Sequence, residues 1–152
     1  MIANPANTNC MLLIESLKGQ IDSKNLSALT RLDHNRTVSM VAHKLSLPTD
    51  HVRKVIVWGN HSSTMYPDLR YAEAFTPTGW VKVTDLITDK GWYEKVLLPT
   101  IRERAFAVIT ARGKSSSLSA ANAGIDHLKS WLVGTEKDDW VSMGVYADNS
   151  YY

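Results

Sequence analysis

Apolar residues recur at helical spacing in four stretches of the chain and crowd into short runs in the others. Residues 10–18 predict a short helix halted by Gly19. Leu26 to Leu32 predict a strand. From Asp33 to Leu47, Val38, Val41, Ala42 and Leu45 follow the i, i+3, i+4, i+7 rule, and Pro48 stops the helix. Asp33 suits its N-cap or first turn. Val55 to Trp58 read as a buried strand broken by Gly59. Tyr71–Phe75 and Trp80–Val83 predict the arms of a hairpin turning at Thr76-Pro77-Thr78-Gly79. Residues 92–111 predict a helix with Val96, Leu97, Ile101, Ala105, Val108 and Ile109 on one side, kinked or started at Pro99. Ser116 to Val133 predict another, with Leu118, Ala121, Ile125, Leu128 and Leu132 as its apolar face and Gly134 as its stop. Val141 to Val145 predict a last strand. The order of elements argues α/β or α+β.

Composition narrows the classes. The chain has 152 residues, 44% of them apolar, enough for a core and too many for a disordered tail. A net charge of +2 with scattered basic residues argues against nucleic acid and membrane surfaces as partners. One cysteine, Cys10, excludes an internal disulfide framework and a cysteine zinc cage. No run reaches the roughly 20 apolar residues of a membrane span. No metal is expected, since three or four convergent ligands are not visible. A reducing, cytoplasmic compartment follows as the expectation. The chain opens on the turn-rich Asn4-Pro5-Ala6-Asn7-Thr8-Asn9 with no preceding strand, which reads as part of a larger architecture.

Four features could carry chemistry. His61 lies just beyond the apolar strand, where α/β folds place functional loops, but a turn histidine would sit there too. His43, His51 and His127 lie among charged neighbours and read as solvated surface. Asp33 and Arg36 share one helix face at i, i+3. That pair is a plain surface ion pair, or it is an anion-binding fork beside an acid that orients a histidine. Asn4 is a turn residue or a carboxamide aimed at a substrate oxygen. Ser115-Ser116-Ser117 cap the following helix, and helix starts also take anions. No Gly-x-Gly-x-x-Gly or Walker loop is present.

The segments Ala3-Asn4-Pro5-Ala6-Asn7-Thr8-Asn9, Leu32-Asp33-His34-Asn35-Arg36 and Val57-Trp58-Gly59-Asn60-His61-Ser62-Ser63-Thr64 stand in a telling order. In order and spacing they resemble the lactate/malate dehydrogenase family. Trp58 to Asp68, Ala111 to Ser116 and Val141 to Val145 are similar to the cytosolic and chloroplast-type malate dehydrogenases. The resemblance implies the α+β substrate domain of that family, incomplete, over residues 21–152. Residues 1–20 would be a remnant of the NAD-binding Rossmann domain. It implies NAD-dependent oxidation of malate to oxaloacetate, with a small dicarboxylate as substrate and a homodimer in the full-length family. His61 would be the acid/base and Asp33 its partner. Arg36 would grip a substrate carboxylate, Asn4 would hydrogen-bond the substrate, and Ser115 would line the pocket. Ile2, Ala3 and Asn4 would lie against the nicotinamide. The family's glycine-rich loop, its mobile arginine loop and its terminal elements have no counterpart here. Met65 stands where relatives usually carry glutamine, and Asp148 to Tyr152 only partly follow the family's closing motif. The chain therefore reads as a fragment: malate dehydrogenase-like by ancestry, and alternatively an inactive piece acting at most as an interaction or dimerisation module. Exposed apolar faces are expected where other parts of such an enzyme dock.

Overall fold

The computed structural model of the protein describes residues 1–147. Asp148 to Tyr152, compared above with the closing motif, lie outside the described residues. Helix α1 (Ala6–Ser16) begins earlier than the apolar run suggests. Asn7, Thr8 and Asn9 read as a turn by composition. Yet Ala6 and Cys10, one helical turn apart, are both buried against Ala28, and that contact outweighs propensity. The predicted strands at 26–32 and 141–145 shrink to β1 (Ser27–Ala28) and β7 (Gly144–Val145), which pair antiparallel. A Cβ at Gly144 would meet the Ala28 Cβ at 2.9 Å, so this close pairing needs glycine.

Helix α2 (Arg31–Leu45) starts two residues before Asp33, which becomes a first-turn acid. Ser46 adopts a left-handed conformation that ends it. Two short strands went unforeseen. They are β2 (Val52–Arg53) and β4 (Tyr66–Asp68). Strand β3 (Ile56–Trp58) pairs with β4 in a hairpin, Trp58 opposite Tyr66 and Ile56 opposite Asp68. The predicted hairpin is present as β5 (Glu73–Thr76) and β6 (Gly79–Lys82), with β2 added to its edge.

Helices α3 (Val83–Leu86) and α4 (Lys90–Trp92) lead through a π-helical stretch, Tyr93–Leu97, into α5 (Leu98–Arg112). Pro99 lies in the first turn of α5. Its ring cannot donate to the preceding turn, and the wider π turn just before it accommodates that loss. Gly113 ends α5, and α6 (Ser117–Val133) follows. Every strand pairing among the described residues is antiparallel, so the architecture is α+β and not a doubly wound sheet.

The core lies where the inner face of α2 (Val41, Ala42) meets Val55, Val57, Leu97 and Ile101. Burying each such side chain contributes roughly 1.5–3 kcal/mol. The apolar side of α5 is only partly covered: Leu97 and Ile101 are buried, while Val96 and Ile109 are exposed. The apolar face of α6 lies open, among the exposed apolar faces expected above. Leu118, Ile125, Leu128 and Leu132 all face solvent, and the helix buries Ala123 and His127 instead. No described helix is long and apolar enough to cross a membrane.

Candidate active site

The β3–β4 hairpin is the element that delivers His61. Gly59, at φ +84°, turns the chain out of β3 in a conformation that side chains other than glycine rarely adopt. Ser62 then closes the loop, its Oγ accepting from the Thr64 N–H and its carbonyl from the Met65 N–H. Met65 is buried, which anchors the return. The return strand is held from the helical side, where Arg102 donates to the Met65 carbonyl and Tyr93 to that of Pro67.

The loop places His61 over the first turns of α2. Its Nδ1 lies 2.5 Å from Asp33 Oδ2. A carboxylate only accepts, so Nδ1 carries the proton and Nε2 is the nitrogen left for a reacting group. Asp33 is 1% exposed, and its Oδ1 lies 3.5 Å from Arg36 Nη1. Arg36 Nη2 donates to Ser116 Oγ at 3.2 Å. The imidazole, the acid and the guanidinium thus form one continuous cluster. The bond to Asp33 raises the His61 pKa above its ordinary value, and burial and the Arg36 charge oppose the rise. Burial and the nearby Arg104 lower the Arg36 pKa, opposed by Asp33, though a guanidinium stays charged throughout. Among the described residues its guanidinium makes no other side-chain hydrogen bond, and such a planar fork matches a carboxylate.

Other residues singled out in the sequence lie elsewhere. Ser115 is exposed, and it is Ser116 that touches Arg36. The Ser116 hydroxyl makes no capping bond to α6, so its place at the helix start serves the arginine instead. Ile2, Ala3 and Asn4 are exposed on an arm pinned along β1. Met1 donates its amino group to the Ser27 carbonyl and accepts from the Leu29 N–H, while Asn9 Nδ2 donates to Ala3. A Cβ at Gly124 would meet Ile2 Cδ1 at 3.3 Å, so α6 leaves room for this arm. An open groove of about 880 Å³ runs between α2, α5 and α6, with Arg36, Arg104 and Ser116 in its wall.

The histidines are only partly as expected. His43 is exposed, as read from its neighbours. His127 is not solvated: it is buried, with Nε2 2.9 Å from the Ser27 hydroxyl. Its flanking charges concealed that it stands one turn from Ala123 on the side of α6 facing α2. His34 is also buried, 3.2 Å from Ser142 Oγ, and burial pushes its pKa down to about 4. Ser142 Oγ accepts from the Val57 N–H as well, tying α2 to β3. Among the described residues, no group of three or more His, Cys, Asp or Glu could hold a metal.

Residues 30–152 match the family described as lactate/malate dehydrogenase, alpha/beta C-terminal domain. The chain is 48% identical over 151 residues to malate dehydrogenase 3, cytoplasmic, of Arabidopsis thaliana, covering 99% of this chain and 44% of that protein. It is 46% identical to a malate dehydrogenase of Nicotiana tabacum, over 99% of this chain and 45% of that one. The chain therefore spans under half the length of the curated relatives it matches. Among solved structures, malate dehydrogenase from Naegleria fowleri superposes with a TM-score of 0.83 at 37% identity, covering 98% of this chain and 44% of its own. Trichomonas vaginalis lactate dehydrogenase in complex with NADH and oxamate superposes at 0.87 and 36% identity, over 93% of this chain and 42% of its own.

Proposed function

The chain belongs to the lactate/malate dehydrogenase family, and from that premise we propose that it carries the substrate-handling half of an NAD-dependent malate dehydrogenase. The observation that carries this reading is the convergence of His61, Asp33 and Arg36. Malate needs one group to take its hydroxyl proton and another to hold its carboxylate. His61 Nε2 takes the proton in oxidation and returns it when oxaloacetate is reduced. Asp33 fixes the ring and stabilises its protonated form, and Arg36 holds the carboxylate beside the hydroxyl. Asn4, exposed on the N-terminal arm, hydrogen-bonds the substrate, and Ser116 rather than the solvent-facing Ser115 lines the pocket.

NAD supplies the hydride chemistry when bound. The exposed, pinned arm of Ile2, Ala3 and Asn4 fits its nicotinamide end, with Gly124 making room behind it. The sequence offers no glycine-rich loop for the phosphates. We assign residues 1–20 to the end of the NAD-binding domain and 21–152 to the substrate domain. The small separate cluster of Ala6, Cys10 and Ala28 supports that division. The names of the relatives favour malate over lactate and a cytoplasmic location. A homodimer is the proposed assembly of the complete enzyme.

A second reading rests on the uncovered apolar face of α6. By itself the chain is inactive and serves at most as an interaction or dimerisation module. Both readings are tested by placing the chain into the matching segment of a cytoplasmic plant relative. The chimera should oxidise NADH with oxaloacetate in preference to pyruvate, and His61→Asn should cost about 10²–10⁴-fold in rate. The isolated chain should show no turnover. A chimera that folds and binds NADH but turns over neither substrate would refute the first reading.

A further inference from the structure

The one acid of the β3–β4 hairpin, Asp68, sits where nothing in the proton relay requires it. Asp68 is 2% exposed at the end of β4, opposite Ile56. Its carboxylate accepts from four donors. The Trp58 indole Nε1 reaches Oδ2 at 3.0 Å, and the Arg70 backbone N–H reaches Oδ1 at 3.0 Å. The Arg70 guanidinium grips both oxygens, through Nε at 3.0 and 3.1 Å and Nη2 at 2.7 Å. Trp58 is the last residue of β3 before the loop that holds His61. Its indole thus runs diagonally across the hairpin to the neighbour of its neighbour, a reach that cross-strand pairs of long side chains allow.

A two-stranded ribbon of three pairs is marginal in water without outside support. The return strand has such support, because Tyr93 and Arg102 hold its carbonyls. The outgoing strand is held at Val57 by Ser142, and beyond that point Trp58 is half exposed. Its indole bond to Asp68 therefore adds a side-chain tie to the strand pairing, between the supported strand and the stem of the His61 loop.

We propose that Asp68 is a positioning residue for the proton-transfer histidine. By clasping Trp58 to the return strand, it keeps His61 Nδ1 on Asp33. The inference rests on reading His61 as the acid/base, but it concerns where the ring is held and stands or falls separately. The arginine keeps the clasp charged: its hydrogen bonds push the Asp68 pKa down to about 2.

The test is the titration of His61 itself, followed by NMR of the imidazole nitrogens in the full chain, with no substrate or cofactor. Asp68→Asn removes the charge that gathers the donors, and Trp58→Phe removes one donor and keeps an aromatic ring. Each should move the His61 midpoint down by about half a pH unit or more, because the bond to Asp33 is what raises it. Val83→Ala, a core truncation in α3, serves as the control for mere destabilisation and should leave the midpoint in place. An unchanged midpoint in a folded Asp68→Asn chain, or an equal fall in the Val83→Ala chain, overturns the proposal. Should Asp68→Asn fail to fold, Trp58→Phe decides by the same criterion. Loss of turnover in a chimera with an unmoved midpoint would count against the positioning role while leaving the malate dehydrogenase reading intact.

Discussion

The β3–β4 hairpin and helix α6 both pack on α2, and they do so by different chemistry. The hairpin side is filled with Val57, Met65 and Val41, and its polar contacts are enclosed: His61 on Asp33, Ser142 between His34 and Val57. The α6 side is spanned by hydrogen bonds. Arg31 donates to Ser130 at 2.8 Å and to Asn35 at 2.8 Å, and Asn35 donates to Asp126 at 2.7 Å. Meanwhile the leucines of α6 face outward. The difference separates two kinds of completeness. His61, Asp33 and Arg36 find one another within this chain, whereas the apolar face of α6 has no cover among the described residues.

The comparison breaks most visibly at Asp33. Asp33→Ala leaves Arg36 as a buried charge without its partner, and losing one member of such a pair costs about 3–5 kcal/mol. Urea denaturation measures that loss, and the His61 midpoint should fall with it. The opposite direction of pH dependence is the sign of the intact bond. His61 has a raised pKa, so its contribution to stability is complete below 6.5 and is lost as pH rises through the folded value.

A somewhat smaller effect comes from acid acting on His34. Burial, then the Arg31 charge, brings its pKa from 6.5 down to about 4. The unfolded chain binds a proton across that window and the folded one does not. Stability should therefore fall as pH drops from 6.5 towards 4, by about 3 kcal/mol in all. His34→Gln should flatten that part of the curve.

On the α6 side the acid effect is local. His127 also has a lowered pKa, chiefly through burial, so protonation below 6.5 works against its place beside Ser27. Hydrogen-exchange protection, corrected for the slower intrinsic exchange in acid, should fall in α6 before α2 as pH drops, and an equal fall would mean the two sides open together. The smallest effect should come from the outer face. Leu128→Gln with Leu132→Gln should alter folding stability by only about 0.5 kcal/mol per site, yet reduce any self-association seen by light scattering.

Much of this organisation was legible along the chain. The α2 stripe, the β5–β6 hairpin and the residues His61, Asp33 and Arg36 could each be named in advance, because spacing and motif are local properties. The seating of α6 was not. Periodicity shows which side of a helix is apolar, but it does not say what covers that side. Here the neighbour within the chain, α2, offers Arg31 and Asn35, and so it receives Ala123, His127, Asp126 and Ser130. Ser116 was hidden among three serines, since only the approach of α6 to α2 selects the one that meets Arg36. Asp68 entered only as the end of the Trp58–Asp68 segment, and only the register of β3 against β4 brings the Trp58 indole to it.

The hydrogen-bonded seam between α2 and α6 also sets how the two sides answer to temperature. Burial of apolar surface carries a large heat capacity of one sign, and burial of polar surface a smaller one of the other. Cooling thus weakens the packing of Val41, Val57 and Leu97, while the guanidinium, carboxamide and carboxylate contacts of the seam lose little. In the cold, α6 should stay clasped to α2 after the core beneath the hairpin has begun to loosen.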